Sequence, residues 1–477
     1  MSSPVQSTVP SFAALGVPAA LADVLTAKGI TSPFPIQAST LPDSLGGRDV
    51  LGRGRTGSGK TLAFALPTVA RLRESARKRQ PSKPRALILV PTRELATQVH
   101  ETLAPLADAV GQRSTIVIGG VGINPQINKL RAGVDIVVAT PGRLEDLIRQ
   151  GQCRLDQVEV SVLDEADHMA DLGFLPAVRR LLDLTPSHSQ RLLFSATLDR
   201  GVDVLVKRFL HDPVVHQVDE ETSHVPTMEH HVVTVDAGTK AQIVTSLLSG
   251  SVRTLAFTRT KHAAKALARK LNAAGIPAVD LHGNLSQNAR QRNLSQFESG
   301  EVGVLVATDI AARGIHVDDV GLVVHVDPPT EHKAYLHRSG RTARAGAEGR
   351  VVTVGLRNQS RELDQLMRRA GIKPQVLPPH PNAEAFTRLT GPPREKVDPS
   401  TLVAAPTSGN GGGGKGGNGP RRGQRSGAPR GEGASSNAPR NRRSGGPRRR
   451  SGGGSGAGAS APRRGGAASF SAASGRR

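Results

Sequence analysis

Short runs of Val, Ile, Leu and Ala recur along the chain, separated by stretches patterned as helices. Between 11 and 217 they include RALILV (85–90), VDIVVAT (134–140), VEVSVLD (158–164) and RLLFSAT (191–197). The runs are nearly continuous rather than alternating, as expected for strands buried on both faces of a parallel sheet covered by helices. A second series follows: HVVTV (231–235), TLAFT (254–258), AVDLH (278–282), VGVLVATD (302–309), LVVHVD (322–327) and RVVTV (350–354). The pattern predicts two α/β domains, at 11–217 and 231–378, after a frayed terminus at 1–10. A polar segment containing Pro226, at 218–230, reads as the linker. The duplication is one of architecture, not of a short sequence repeat.

From about 380 the pattern dissolves. Residues 401–477 hold 22 of the 53 glycines, together with abundant Arg, Ser, Pro and Ala. Such a segment buries too little apolar surface to offset its ordering entropy. Residues 379–477 are therefore expected to be a disordered basic tail.

Charge adds a partner to this picture. The formal net charge is +23, of which residues 401–477 carry +14 from one Lys, fourteen Arg and one Glu, leaving +9 for the first 400 residues. A basic tail on a neutral enzyme would not give a basic core. Both parts point to a polyanion, most simply nucleic acid. Aromatics are 2% and Trp is absent, so the cores must be built from Val, Leu, Ile and Ala. The single Cys153 excludes an internal disulfide and any multi-cysteine metal site, and it fits a reducing compartment. The first basic residue is Lys28, and Gly16, Pro18 and Asp23 interrupt the early apolar stretch, which is not a signal-peptide pattern. No run of about 18 apolar residues is present. A cytoplasmic protein without membrane contact is expected.

The chemistry starts at GRTGSGKT (54–61), which matches G-x-x-x-x-G-K-[ST]. It follows a short apolar segment, DVLG (49–52), and precedes a helical one, LAFALPTVARL (62–72). Glycines there let backbone N–H groups turn inward around phosphate oxygens. Lys60 is suited to the β/γ-phosphates and the Thr61 hydroxyl to Mg²⁺. The alternative is a plain glycine-rich turn, which the Lys-Thr pair and the strand–helix context disfavour.

A P-loop needs a carboxylate at the end of another strand to hold its metal. Asp164, Glu165 and Asp167 follow the apolar run 160–163 within four positions. Asp164 suits the metal, and Glu165 suits orienting and deprotonating the attacking water. Acids this crowded repel one another, and Mg²⁺ relieves the repulsion. A solvated acidic turn is the bland alternative, weakened by the P-loop upstream.

Asp164-Glu165-Ala166-Asp167 resembles the signature of the DEAD-box RNA helicases, and other motifs match in order over roughly 11–375. The resemblance implies two tandem RecA-like domains. It implies ATP contacts from Thr56, Gly57, Ser58, Gly59, Lys60 and Thr61. GITSPFPIQ (29–37) resembles the Q motif. There Gln37 would read the adenine edge, and the upstream Phe12 would pack on the base. The family usually has a small hydroxyl residue where Phe34 stands. PTRELA (91–96), Gly119-Gly120 and TPGR (140–143) resemble RNA-backbone motifs, implying contacts from Arg93, Gly120, Thr140 and Arg143. SAT (195–197) resembles the link between the two sites, with Asp167, Ser195 and Thr197 as coupling residues.

In the second domain, HGNLSQNAR (282–290) implies Arg290 on phosphate. ATDIAARGIH (307–316) implies Thr308 for RNA and Asp309 for the ATP ribose, with His316 where the family has Asp. HRSGRTARAG (337–346) implies His337 as a coupling residue and Arg341 and Arg344 as arginine fingers. The implied activity is ATP-dependent, sequence-independent RNA binding with local opening of short duplexes, using ATP and Mg²⁺. An ATP-gated RNA clamp or chaperone uses the same motifs, so sequence leaves that reading open. The compact core with a basic tail resembles bacterial RhlE-like members. A monomeric core is expected, with RNA as partner and ribosomal or RNA-decay proteins as further partners.

Overall fold

The computed structural model describes residues 10–402 apart from 55–56, 198–199, 219–227, 313–316, 318, 344–347 and 382–383. The first lobe holds β1 (Val50–Arg53), β2 (Ala86–Leu89), β3 (Ser114–Val117), β4 (Ile136–Ala139), β5 (Val160–Leu163), β6 (Gln190–Ser195) and β7 (Val214–Gln217). The second holds β8 (Met228–Val235), β9 (Thr254–Phe257), β10 (Ala278–Leu281), β11 (Val304–Ala307), β12 (Leu322–His325), β13 (Gly349–Leu356) and β14 (Gln375–Val376). The sheets run β3-β4-β2-β5-β6-β1-β7 and β10-β11-β9-β12-β13-β8-β14. Every pairing in them is parallel. Numbered within each lobe the two orders are identical, so the duplication read from the sequence is exact at the level of topology.

Both faces of each sheet are buried, which explains the unbroken apolar runs. In the first lobe Val50, Ile88, Val162, Leu192 and Phe194 enter one core, and Leu51, Leu87, Leu89, Leu163 and Leu193 the other. In the second, Ala256, Val304, Val306 and Val324 face one core, and Leu255, Phe257, Leu305 and Val323 the opposite one. The edge strands β3, β7 and β14 are partly exposed. Their burial alternates or is lost, and none of the three was expected as a strand.

Strand order positions the chemistry. β5, β6 and β1 are adjacent. In a parallel sheet their C-terminal ends lie on one edge, so the segments after 53, 163 and 195 meet there.

Two expected boundaries need correction. β8 begins at Met228, so the last residues of the expected linker are strand; residues 219–227 lie outside the described ones. The expected tail from 379 instead begins with ordered structure. Residues Glu384–Thr390 form a helix whose Phe386 and Leu389 are buried in a second-lobe core. Beyond it Arg394 Nη2 donates to the Val252 carbonyl at 3.1 Å. Two apolar anchors in a seven-residue helix are too few to stand out in the sequence. Residues 403–477 lie outside the described ones. Among the described residues no helix is long and apolar enough to cross a membrane.

Candidate functional site

After β1 the chain turns through Gly57 and Gly59, both at φ +88°, into the helix Lys60–Glu74. Lys60 is buried, and its Nζ donates to the Gly54 carbonyl at 2.7 Å. The ammonium is thus folded into the mouth of its own loop. Ser58 Oγ is buried inside the same loop without a protein partner. A buried hydroxyl left unpaired is costly unless a ligand satisfies it. Thr61, second in the helix, is half-buried. Thr56 lies outside the described residues.

Asp164 follows β5 and is 3% exposed, and its Oδ1 accepts the Glu165 N–H at 3.0 Å. Burial pushes its pKa up to about 7, against the opposing pull of the Lys60 charge. Glu165 behaves in the opposite way. Burial alone would raise its pKa too, but the His168 hydrogen bond and the Arg341, His168 and Lys60 charges outweigh it and hold it down at about 2. His168 Nδ1 lies 3.3 Å from Glu165 Oε2. Glu165 sits at φ +50°, the left-handed region that non-glycine residues seldom adopt. Burial thus raises one of the two neighbouring acids, while specific partners lower the other. Such a split is how sites assign distinct roles to paired carboxylates.

Asp167 is joined to the end of β6. Its Oδ2 accepts from both the N–H and the hydroxyl of Thr197 at 2.9 Å. Its own N–H donates to Ser195 Oγ at 3.3 Å, and that hydroxyl donates to the Thr197 carbonyl at 2.8 Å. Asp167, Ser195 and Thr197 thus form one closed network.

The second lobe reaches this edge. Arg341 is 6% exposed, and its charge is among the groups that lower the Glu165 pKa. Its Nε donates to the His337 carbonyl at 3.3 Å, and the His337 side chain is half-buried. Arg344 and His316 lie outside the described residues. Asp309 is clamped by Arg338, whose Nε and Nη2 donate to its two carboxylate oxygens at 2.5 and 2.7 Å.

Of the expected RNA contacts, Arg93 lies across Gly119 and Gly120, and Gly120 has φ +77°. A β-carbon on Gly120 would overlap the Arg93 guanidinium. Thr140 precedes the helix Pro141–Arg149, and Arg143 donates to the Val121 carbonyl at 3.2 and 3.3 Å. Thr308, after β11, is half-buried. Arg290 lies at the contact between the lobes. It is 8% exposed, and its Nε donates to Glu94 Oε1 of the first lobe at 2.7 Å. Gln287 joins this contact, donating to Glu94 at 3.2 Å and accepting from Arg93 at 3.3 Å.

Both residues expected at the base are buried. Phe12 is 4% exposed and packs in the first-lobe core. Gln37 is 1% exposed, its Oε1 accepting the Phe34 N–H and its Nε2 donating to the Gly59 carbonyl, both at 2.9 Å.

Sequence reasoning missed Glu94, Gln287, His168 and Arg338. Glu94 and Arg338 stood inside motifs already singled out, and Gln287 lies one helical turn before Arg290. Their signal was charge or hydrogen-bonding capacity near a helix end, at the start for Glu94 and Gln287 and in the last turn for His168 and Arg338. For a divalent cation, Thr61 and Asp164 supply hard oxygen donors, few in number. That fits Mg²⁺, which keeps several waters and takes phosphate oxygens besides.

Residues 34–205 match the family model described as DEAD/DEAH box helicase, and 239–346 that described as Helicase conserved C-terminal domain. The chain is 40% identical over 377 residues to DEAD-box ATP-dependent RNA helicase 30 of Arabidopsis thaliana, covering 76% of this chain and 62% of that one. It is 37% identical to DEAD-box ATP-dependent RNA helicase 53 of Oryza sativa, over 85% and 68% of the two chains. It is 39% identical to ATP-dependent RNA helicase RhlB of Xanthomonas campestris, over 81% and 69%. Among solved structures, S. cerevisiae Dbp5 bound to RNA and ADP BeF3 superposes with a TM-score of 0.70 at 28% identity, over 80% of this chain and 98% of that one. The chain spans less than two thirds of the Arabidopsis relative.

Proposed function

The chain belongs to the DEAD-box RNA helicase family, and from that premise we propose that it couples ATP binding and hydrolysis to RNA binding and local opening of short duplexes. The observation that carries the reading is the buried contact between the lobes, Arg290 Nε to Glu94 Oε1 at 2.7 Å, with Arg341 of the second lobe buried and its charge felt at Glu165 of the first. A site divided in this way is complete only when the lobes are together.

In this reading the loop Gly57–Thr61 cradles the phosphates and Lys60 leaves Gly54 for them. Thr61 and Asp164 hold Mg²⁺, which when bound supplies charge neutralisation on the phosphates. Glu165, held ionised, orients the attacking water and takes its proton. Arg341 and Arg344 stabilise the charge that develops on the transferring group, a contribution of roughly 10³–10⁵ in rate where measured. The Asp167–Ser195–Thr197 network, with His337, ties the acid turn to the RNA-facing segments. Arg93, Gly120, Thr140, Arg143 and Thr308 serve the RNA backbone, so sequence preference is weak. RNA and ATP each favour the closed lobes, and their binding is reciprocally coupled. The Glu94–Arg290 contact supports a direct part for Arg290 in closure.

The domains are proposed at 11–217 and from 228 onward, with 401–477 adding sequence-independent RNA affinity. That basic segment supports an RhlE-like bacterial form in the cytoplasm, although the Xanthomonas relative bears the name RhlB. The test is strand displacement of a short RNA duplex. Wild type should separate the strands with ATP, and Glu165→Gln should not. Undiminished separation by Glu165→Gln would end the helicase reading. ATP-dependent RNA retention without separation by wild type would favour the clamp.

A further inference from the structure

Phe34 stands at the N-cap of the helix Pro35–Leu45, where its side chain makes no cap hydrogen bond. Ser, Thr, Asp or Asn is strongly favoured at that position because an oxygen there satisfies an otherwise orphan N–H. The helix continues Pro-Ile-Gln, and Gln37 already bonds back to the Phe34 N–H at 2.9 Å. A serine or threonine at 34 would add a side-chain oxygen for the first-turn N–H groups, beside the Gln37 N–H that now donates to the Phe34 carbonyl at 2.9 Å. The chain gives up that cap for a ring.

The ring is also not used for the core. It is 44% exposed, and among the described residues it is the only aromatic among the exposed large hydrophobic side chains. It lies instead against the phosphate loop. A β-carbon on Gly59 would stand 2.8 Å from Phe34 Cδ2 and 3.2 Å from Cγ. Gln37 fastens the arrangement, linking the Phe34 N–H to the Gly59 carbonyl through its amide. A lost cap and an exposed aromatic both disfavour the free protein, and both are at the mouth of the loop.

We propose that Phe34 is a base-stacking residue of this nucleotide site, its exposed face receiving the base of a nucleotide whose phosphates occupy Gly57–Thr61. The inference rests on the nucleotide-site reading above. Stacking tolerates any base, because every base presents a π-face. Gln37 keeps a second amide N–H and a second Oε1 lone pair with which to read an edge. Phe34 therefore carries affinity, and Gln37 whatever selectivity the site has.

The decisive variant is Phe34→Ser, which restores the cap and removes the ring. It should raise the melting temperature of the free protein while weakening ATP binding, measured by titration calorimetry without RNA. The expected loss is roughly 5- to 100-fold in Kd, the span of base–aromatic stacking. Loss of affinity for GTP and CTP should be similar in factor. Phe34→Tyr should bind as wild type does. A role confined to helix structure would not move stability and affinity in opposite directions. Unchanged or tighter ATP binding by Phe34→Ser would overturn the inference. Failure of wild type to bind ATP at all would instead overturn the nucleotide-site reading beneath it.

Discussion

Arg290 Nε donates to Glu94 Oε1 at 2.7 Å, joining the second lobe to the first through a pair whose side chains are 10% and 7% exposed. Burial opposes the Glu94 charge, but the Arg290 hydrogen bond and charge outweigh it and hold the carboxyl below its usual range. Removing one half of a buried pair leaves the other uncompensated, at about 3–5 kcal/mol. Glu94→Ala should therefore open the lobes, seen as a larger radius in solution scattering. RNA-stimulated ATP turnover should fall at least about tenfold.

Gly120→Ala tests the Arg93 shelf. The added methyl group meets both a left-handed backbone and the Arg93 guanidinium. The variant should lose about 1–2 kcal/mol of stability and bind single-stranded RNA more weakly in a filter assay. Its affinity for ATP should be that of wild type.

Stability should fall in mild acid because of the second lobe. His325 is fully buried, its Nδ1 3.2 Å from Thr353 Oγ1 and its ring edge-on to Tyr335. Burial first, then the Arg338 and His230 charges, hold its pKa well below 6.5. Below about 6.5 the unfolded chain takes a proton that the folded one refuses. The contribution is thus full above 6.5 and lost as pH falls, by up to about 1.4 kcal/mol per unit. Melting curves between about pH 7.5 and 5.5 should show this slope, and His325→Asn should flatten it.

Deleting 401–477 should lower RNA affinity and flatten its salt dependence. For single strands each phosphate contact contributes about 0.7 to the slope of log K against log salt. Turnover at saturating RNA should be largely kept. The check is RNA binding measured across a salt series.

The sequence made legible whatever depends on a continuous local pattern. Buried strands showed as apolar runs, and the P-loop and acid turn as dense motifs. The Asp167–Ser195–Thr197 network was foreseen as a set because its members sit in two such motifs. Contacts set by the docking of two lobes were not legible, since nothing local to Arg290 distinguishes a phosphate ligand from a partner for Glu94. The helix Glu384–Thr390 was hidden by its length.

The central claim is that catalysis waits on an arginine supplied by the second lobe. It is tested most directly by steady-state ATP hydrolysis with saturating RNA for wild type and Arg341→Ala, alongside ATP affinity. The account predicts turnover lower by roughly 10³-fold or more with ATP affinity little changed. Hydrolysis by Arg341→Ala at the wild-type, RNA-stimulated rate would contradict it.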